Sequence, residues 1–153
     1  MPDQEMSQPT TRIGRDELYM MVARLFGMRS TCPRRQVGAI AVKNGRIIAT
    51  GYVGAPTGRE HCIDVGCEME NDHCVRTVHA EANVVAFSAR ESMDLWESTI
   101  YSTVAPCYTC AKLLVNAGIV ELVYDEPYSD ERGIRLLQAL DVTVVIYDAQ
   151  SSS

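Results

Sequence analysis

The sequence predicts an α/β fold with a mixed five-stranded sheet, and three observations carry that prediction. The second half alternates strand, helix, strand, helix, strand, the pattern of parallel strands joined by crossovers. The first half holds two apolar runs around Asn44-Gly45, the mark of an antiparallel hairpin with a tight turn. The chain has 153 residues, of which 46% are hydrophobic and 22% charged. That is the length and profile of one globular domain with a core of its own.

Taken in order, residues 1–13 read as a flexible tail. A first helix is predicted over Asp16–Met28. Leu18, Met21, Val22 and Leu25 recur at helical spacing, and Asp16 and Glu17 suit the first turn. Met20, Met21 and Met28 read as core residues of that helix. The hairpin strands are Val37–Val42 and Arg46–Tyr52. Residues 53–76 hold Gly54, Pro56, Gly58 and Gly66 beside His61, Cys62, Cys67, His73 and Cys74. This is too long for a structureless loop in a compact domain unless something organises it. A helix follows from Thr77 to about Ser92, with Ala82, Val85, Ala86 and Ala89 available for its buried face. Thr99–Val104 is a strand. Pro106 suits the first turn of a helix ending near Gly118. Val120–Tyr124 is a strand, Asp130–Leu140 a helix and Val142–Tyr147 the last strand. The expected organisation is one domain over 14–148, with a Cys/His-rich insertion at about 54–76 and a short tail over 149–153.

The formal net charge is −6, which speaks against a general nucleic-acid or anionic-membrane binder but leaves room for a local basic patch. No secretory signal is visible in MPDQEMSQPTTR. No run approaches the roughly 20 apolar residues of a membrane span. The expected compartment is therefore the reducing cytoplasm, where disulfides are rare. Six cysteines in such a chain point to metal binding or chemistry, with a framework of disulfides as the alternative.

Two segments carry that chemistry. One is His79-Ala80-Glu81 and the other Pro106-Cys107-Tyr108-Thr109-Cys110, each at a predicted helix start. Zinc takes histidine nitrogen and cysteine thiolate, and a catalytic zinc keeps three protein ligands and one open position. His79, Cys107 and Cys110 make such a set. Cys107 and Cys110 are spaced to face one ion from a single helical turn, and a helix N-terminus favours both as thiolates. Glu81, two residues from His79, is placed to take a proton from an activated water. By themselves a C-x-x-C or a His-Ala-Glu is weak, since either fits a redox pair, a structural zinc site or chance. Together they form the H-x-E…P-C-x-x-C signature of zinc-dependent deaminases, in which the glutamate is the general acid/base.

These residues resemble the cytidine and deoxycytidylate deaminase family, over about Asp16 to Tyr147. The resemblance is strongest to the branch acting on dCMP. It is carried by Cys32-Pro33-Arg34-Arg35-Gln36-Val37-Gly38-Ala39, by Thr50 to Gly58, by the Cys/His-rich loop and by Val75 to Asn83. It implies a three-layer αβα sandwich and hydrolysis of dCMP to dUMP and ammonia, supplying thymidylate synthesis. His79, Cys107 and Cys110 would hold the catalytic zinc. Glu81 would move protons from the attacking water to the ring nitrogen and the departing amine. The resemblance further implies a homo-oligomer, often a hexamer, activated by dCTP and inhibited by dTTP, with Mg2+ accompanying the triphosphate. The family's regulatory stretch usually reads Gly-Tyr-Asn-Gly. Here it is Gly51-Tyr52-Val53-Gly54, an apolar side chain in place of an amide.

Some members of the family carry a second, structural zinc. Cys32 and Cys62 match two of its ligand positions, and the other two would come from Cys67, His73 and Cys74. His73 and Cys74 are adjacent, so one of them is expected to be a bystander. The alternative is a set of free thiols packed as small hydrophobes. Candidate substrate contacts are Arg34, Arg35, Ala105 and Tyr128. The two arginines suit a 5′-phosphate, or are surface residues. Tyr101, Tyr124 and Tyr128 lie at or beyond the carboxyl ends of predicted strands, where open α/β sheets bind ligands, although core or interface roles fit them equally. A rival reading is a deaminase of cytidine, dCTP or tRNA adenosine, the last disfavoured by the acidic balance. A rival of another class is a zinc-stabilised interaction module, which has no need of Glu81.

Overall fold

In the computed structural model, which describes residues 11–150, most of the two expected tails lies outside the described residues. The elements run α1 (Arg15–Gly27), β1 (Gly38–Lys43), β2 (Arg46–Tyr52), α2 (Cys62–Val65), β3 (Met69–Glu70) and β4 (His73–Cys74). They continue with α3 (Ala80–Arg90), β5 (Thr99–Val104), α4 (Tyr108–Ala117), β6 (Glu121–Glu126), α5 (Arg132–Ala139) and β7 (Thr143–Ile146). Five strands form one sheet in the order β2-β1-β5-β6-β7. β1 is antiparallel to β2 and β5, whereas β5, β6 and β7 are parallel. The Asn44-Gly45 turn takes left-handed backbone at both residues, as the hairpin requires.

Strand alternation splits the core into two faces. Ile40, Val42, Tyr101 and Val123 pack with Tyr19, Met20 and Ala23 of α1. Ala39, Ala41, Ile100 and Leu122 pack with Val84, Leu114 and Leu137 of α3, α4 and α5. The result is a three-layer αβα sandwich around a mixed sheet.

Both helices near the hairpin bury a different face from the one their large apolar residues suggest. On α1 the buried residues are Tyr19, Met20, Ala23 and Gly27, while Leu18, Met21 and Leu25 are exposed, as is Met28 beyond its end. Of the three methionines expected in the core, Met20 alone is there. The reason is close approach: a Cβ on Gly38 would overlap the Ala23 carbonyl and the Gly27 backbone. Small residues let α1 lie against the start of β1, and that contact decides its rotation. On α3 the buried set is Ala80, Glu81, Val84 and Ser88, whereas Ala86 and Ala89 are exposed and Ala82 and Val85 half-buried. This rotation turns Glu81 inward.

The segment over 54–76 is organised, as its length demands. It contains α2 and the hairpin β3–β4, whose strands are two residues each. Its end is pinned to the main sheet by Gly54 and Val78, each donating its backbone N–H to the other's carbonyl. That bridge sets the residue before His79.

Candidate active site

Two helix N-termini converge on one point. His79 is the N-cap of α3 and Cys107 the N-cap of α4. Three features hold the approach. Gly51 of β2 admits the first turn of α3, where a Cβ would overlap the Ala80 carbonyl and come within 2.9 Å of the Val84 nitrogen. Asn83 Nδ2 donates to the Tyr52 carbonyl at 2.8 Å. The Cys110 backbone N–H donates to Cys107 Sγ at 3.4 Å, which aims that sulfur across the mouth of α4.

The His79 Nδ1 atom lies 3.5 Å from Cys107 Sγ and 3.6 Å from Cys110 Sγ. Tetrahedral zinc, with Zn–N of about 2.0 Å and Zn–S of about 2.3 Å, sets such pairs roughly 3.6 Å apart. The three ligand atoms therefore fit one zinc ion. Hydrogen bonding from Cys110, and then from His79 and the Cys110 N–H, lowers the Cys107 thiol to about 4. Its hydrogen bond to Cys107, together with burial and Glu81, pushes the Cys110 thiol up. The protein alone thus favours one thiolate of the two, and a bound cation would deprotonate the second. The hydrogen bond to Cys107 likewise raises the His79 pKa.

Glu81 is 4% exposed, and burial pushes its carboxyl above the ordinary value. Ser102 Oγ lies 3.3 Å from Glu81 Oε1 and 2.7 Å from the Val104 carbonyl. Sequence reasoning missed Ser102. Its signal was a polar residue amid the apolar run of β5.

Glu81, His79 and Cys107 line one cavity with Arg34, Arg35 and Tyr128. Ala105 is also in its wall. The Arg35 guanidinium sits 5.3 Å from the Tyr128 ring centroid. Arg34 donates only to the soft sulfur of Met69, at 2.8 Å. Among the described residues neither arginine makes an ion pair, although Asp72 and Glu81 line the same cavity. Tyr101 is elsewhere. Its ring packs on Tyr19 and its hydroxyl donates to Asp16 at 2.6 Å, on the α1 side of the sheet. Tyr124 is buried in the opposite core.

Gly51, Tyr52 and Gly54 line a second groove with Arg59, His61 and Arg90. Val53 departs from them. It is 6% exposed and lines the cavity beside Glu81 instead.

The remaining four cysteines form a second cluster. Cys32, Cys62, Cys67 and Cys74 have sulfurs all within 4.8 Å of one another. The Cys32–Cys67 pair is 3.7 Å apart and the Cys62–Cys74 pair 3.6 Å. A tetrahedral zinc–sulfur site sets its edges at about 3.8 Å, whereas a disulfide bond is about 2.05 Å. All six cysteines are free thiols, so no disulfide framework exists. Burial, then Cys74, raises the Cys62 thiol to about 12. Burial also opposes ionisation of Cys74, but the Arg76 and Glu68 backbone N–H groups and two neighbouring thiols outweigh it and lower Cys74 to about 7. His73 is not part of this cluster. It precedes Cys74 on β4 and lines the cavity beside Glu81 together with Asp72 and Cys74.

The family model of the cytidine and deoxycytidylate deaminase zinc-binding region matches residues 13–126. ComE operon protein 2 of Bacillus subtilis (strain 168) is 42% identical over 117 residues, covering 76% of this chain and 62% of that protein. The deoxycytidylate deaminase of Saccharomyces cerevisiae is 35% identical over 143 residues, covering 89% of this chain and 46% of that protein. The chain therefore spans about half to three-fifths of the length of these two relatives. The crystal structure of dCMP deaminase from the cyanophage S-TIM5, in complex with dCMP and dUMP, superposes with a TM-score of 0.78 at 37% identity. That match covers 86% of this chain and 95% of the phage chain.

Proposed function

The chain belongs to the cytidine and deoxycytidylate deaminase family, and from that premise we propose that it hydrolyses dCMP to dUMP and ammonia. One observation carries the reading. A buried carboxylate, His79 and Cys107 of a histidine–dicysteine set with zinc spacing, and two arginines without an ion-pair partner among the described residues line a single cavity. The phage enzyme crystallised with dCMP and dUMP supports the same substrate.

His79, Cys107 and Cys110 would hold the catalytic zinc. When bound, the ion supplies hydroxide at neutral pH by lowering the pKa of water to about 7. Glu81 handles the protons. Its carboxylate takes one from the water and gives it to the ring nitrogen beside the reacting carbon, then takes the remaining proton from the added hydroxyl and passes it to the amine, which departs as ammonia. A pKa raised toward the operating pH suits both halves of this task, because the carboxylate becomes a stronger base while the acid form stays accessible. Arg34 and Arg35 receive the 5′-phosphate as charge-assisted pairs, with Tyr128 steadying the Arg35 plane. Ala105 contributes a small wall that leaves room for the base.

The proposal extends to the whole chain. A single deaminase domain spans 14–148. A structural zinc occupies Cys32, Cys62, Cys67 and Cys74. The second groove, with Arg59, His61 and Arg90 among its cations, takes dCTP as activator and dTTP as inhibitor, with Mg2+ on the triphosphate. Val53 then bears on the catalytic cavity more than on the regulatory groove. The exposed stripe of Leu18, Met21, Leu25 and Met28 suits a homo-oligomer, a hexamer by family likeness. Sedimentation would give its mass, and a monomer at micromolar concentration contradicts it. The product dUMP would feed thymidylate synthesis, in a cytoplasmic setting. Among the described residues no helix is long and apolar enough to cross a membrane.

The test is deamination of dCMP, cytidine and dCTP, followed by ammonia release or ultraviolet absorbance, with and without dCTP and dTTP as effectors. Turnover highest on dCMP is expected. Turnover confined to cytidine removes the dCMP reading, and no turnover with zinc bound favours an interaction module.

A further inference from the structure

The β3–β4 hairpin joins two features. Its Cys74 belongs to the four-sulfur cluster, and its Asp72, His73 and Cys74 all line the cavity beside Glu81. Little else supports it. Its strands are two residues long, and Met69, Glu70, Asn71, Asp72, His73 and Val75 are all exposed. A hairpin so short has marginal stability by itself. What fixes it is its frame. Cys67 and Cys74 flank it within the sulfur cluster, and the Val75 N–H donates to the Glu68 carbonyl at 2.7 Å. Asn71 and Asp72 turn the chain in left-handed backbone, φ 47° and 63°, a conformation that Asn and Asp tolerate. The turn sets where the next two side chains emerge. The hairpin also touches the cavity's cations, since Arg34 Nη1 donates to Met69 Sδ.

We infer that this hairpin reads the phosphorylation state of the nucleotide, with His73 as a donor to the single 5′-phosphate and Asp72 as a barrier to longer phosphate chains. The inference rests on the dCMP reading above and deepens it. Three groups argue for an anion here: Arg34, Arg35 and His73 all reach the same cavity, none is in an ion pair among the described residues, and His73 is not needed by the sulfur cluster. An imidazole offers at least one N–H in either protonation state, so the contact does not depend on its charge. Asp72 has the opposite sense. A carboxylate beside this cluster is tolerated by one phosphate held on three donors, but it repels the added charge of a second phosphoryl group. Discrimination thus comes from an attractive and a repulsive residue at successive positions.

The experiment compares deoxycytidine, dCMP and dCDP as substrates for the full chain and for His73→Ala, His73→Gln and Asp72→Asn. Dissociation constants for dUMP by calorimetry and zinc content accompany the rates. Losing one hydrogen bond to a charged group corresponds to about tenfold or more in affinity. His73→Ala is expected to lower the kcat/KM ratio of dCMP over deoxycytidine about tenfold. The loss should appear in KM and in a matching rise of the dUMP dissociation constant, with zinc content unchanged. His73→Gln, which keeps an N–H, should recover part of it. Asp72→Asn should raise kcat/KM for dCDP relative to dCMP several-fold. An unchanged dCMP-to-deoxycytidine ratio in His73→Ala overturns the inference, as does an equal loss on both substrates. An unchanged dCDP preference in Asp72→Asn overturns the acidic half. If the unaltered chain fails to deaminate dCMP at all, it is the parent reading that falls.

Discussion

The burial that suits Glu81 to its proposed role comes from the rotation of one helix by one face. Buried at the start of α3, Glu81 meets Ser102 rather than bulk water, and desolvation raises its pKa. The sign of the consequence follows directly. The base form is the carboxylate, and a raised pKa means the carboxylate is lost at higher pH on acidification. The acid limb of kcat/KM for dCMP is therefore expected above the ordinary glutamate value of about 4.3. Initial rates across the acid range measure it, and a limb at or below that value contradicts the burial argument. The grouping of His79, Cys107 and Cys110 was legible in the sequence because local spacing sets it: Cys107 and Cys110 share one helical turn, and His79 stands two residues before the proposed proton carrier Glu81. Ser102 as the partner of Glu81, and Asp72 and His73 as cavity residues, were not legible, because long-range packing brings them there. The sequence left Cys67, His73 and Cys74 undecided, and the four-sulfur cluster takes Cys67 and Cys74 and leaves His73 out.

At the scale of elements, the order of strands and helices follows from hydrophobic patterning, and the sheet forms as that pattern predicts. Helix rotation does not. The apolar spacing of α1 suggested Leu18, Met21, Val22 and Leu25 as its buried face, yet the face with Tyr19, Met20, Ala23 and Gly27 wins because backbone contact at Gly27 and Gly38 brings helix and strand closer than any leucine permits. Gly38→Ala is accordingly expected to destabilise the fold by about 1–3 kcal/mol, the usual range for overpacking. Thermal or urea unfolding measures it, and an unchanged midpoint would show that α1 shifts freely. The short elements within 54–76 escaped the sequence for another reason. Strands of two residues leave no periodicity to read, and their order comes from four sulfurs contributed by distant positions.

For the whole molecule, the six cysteines divide between two centres, each with zinc-like spacing and each contributing to the lining of one cavity. Two zinc ions per chain are expected by elemental analysis. Cys67→Ser should reduce that to one and lower the melting temperature, since metal affinity at such a site is also folding energy. Two ions retained in Cys67→Ser would contradict the second site. The acidic surface and the unpaired arginines fit one small anion better than a polymer. All of this converges on Glu81 as the group that moves protons beside a bound zinc. The most direct test is dCMP turnover and zinc content measured together on Glu81→Gln. The account predicts full zinc occupancy with turnover lower by at least about 10²–10⁴-fold. Near-normal turnover with zinc in place would contradict it.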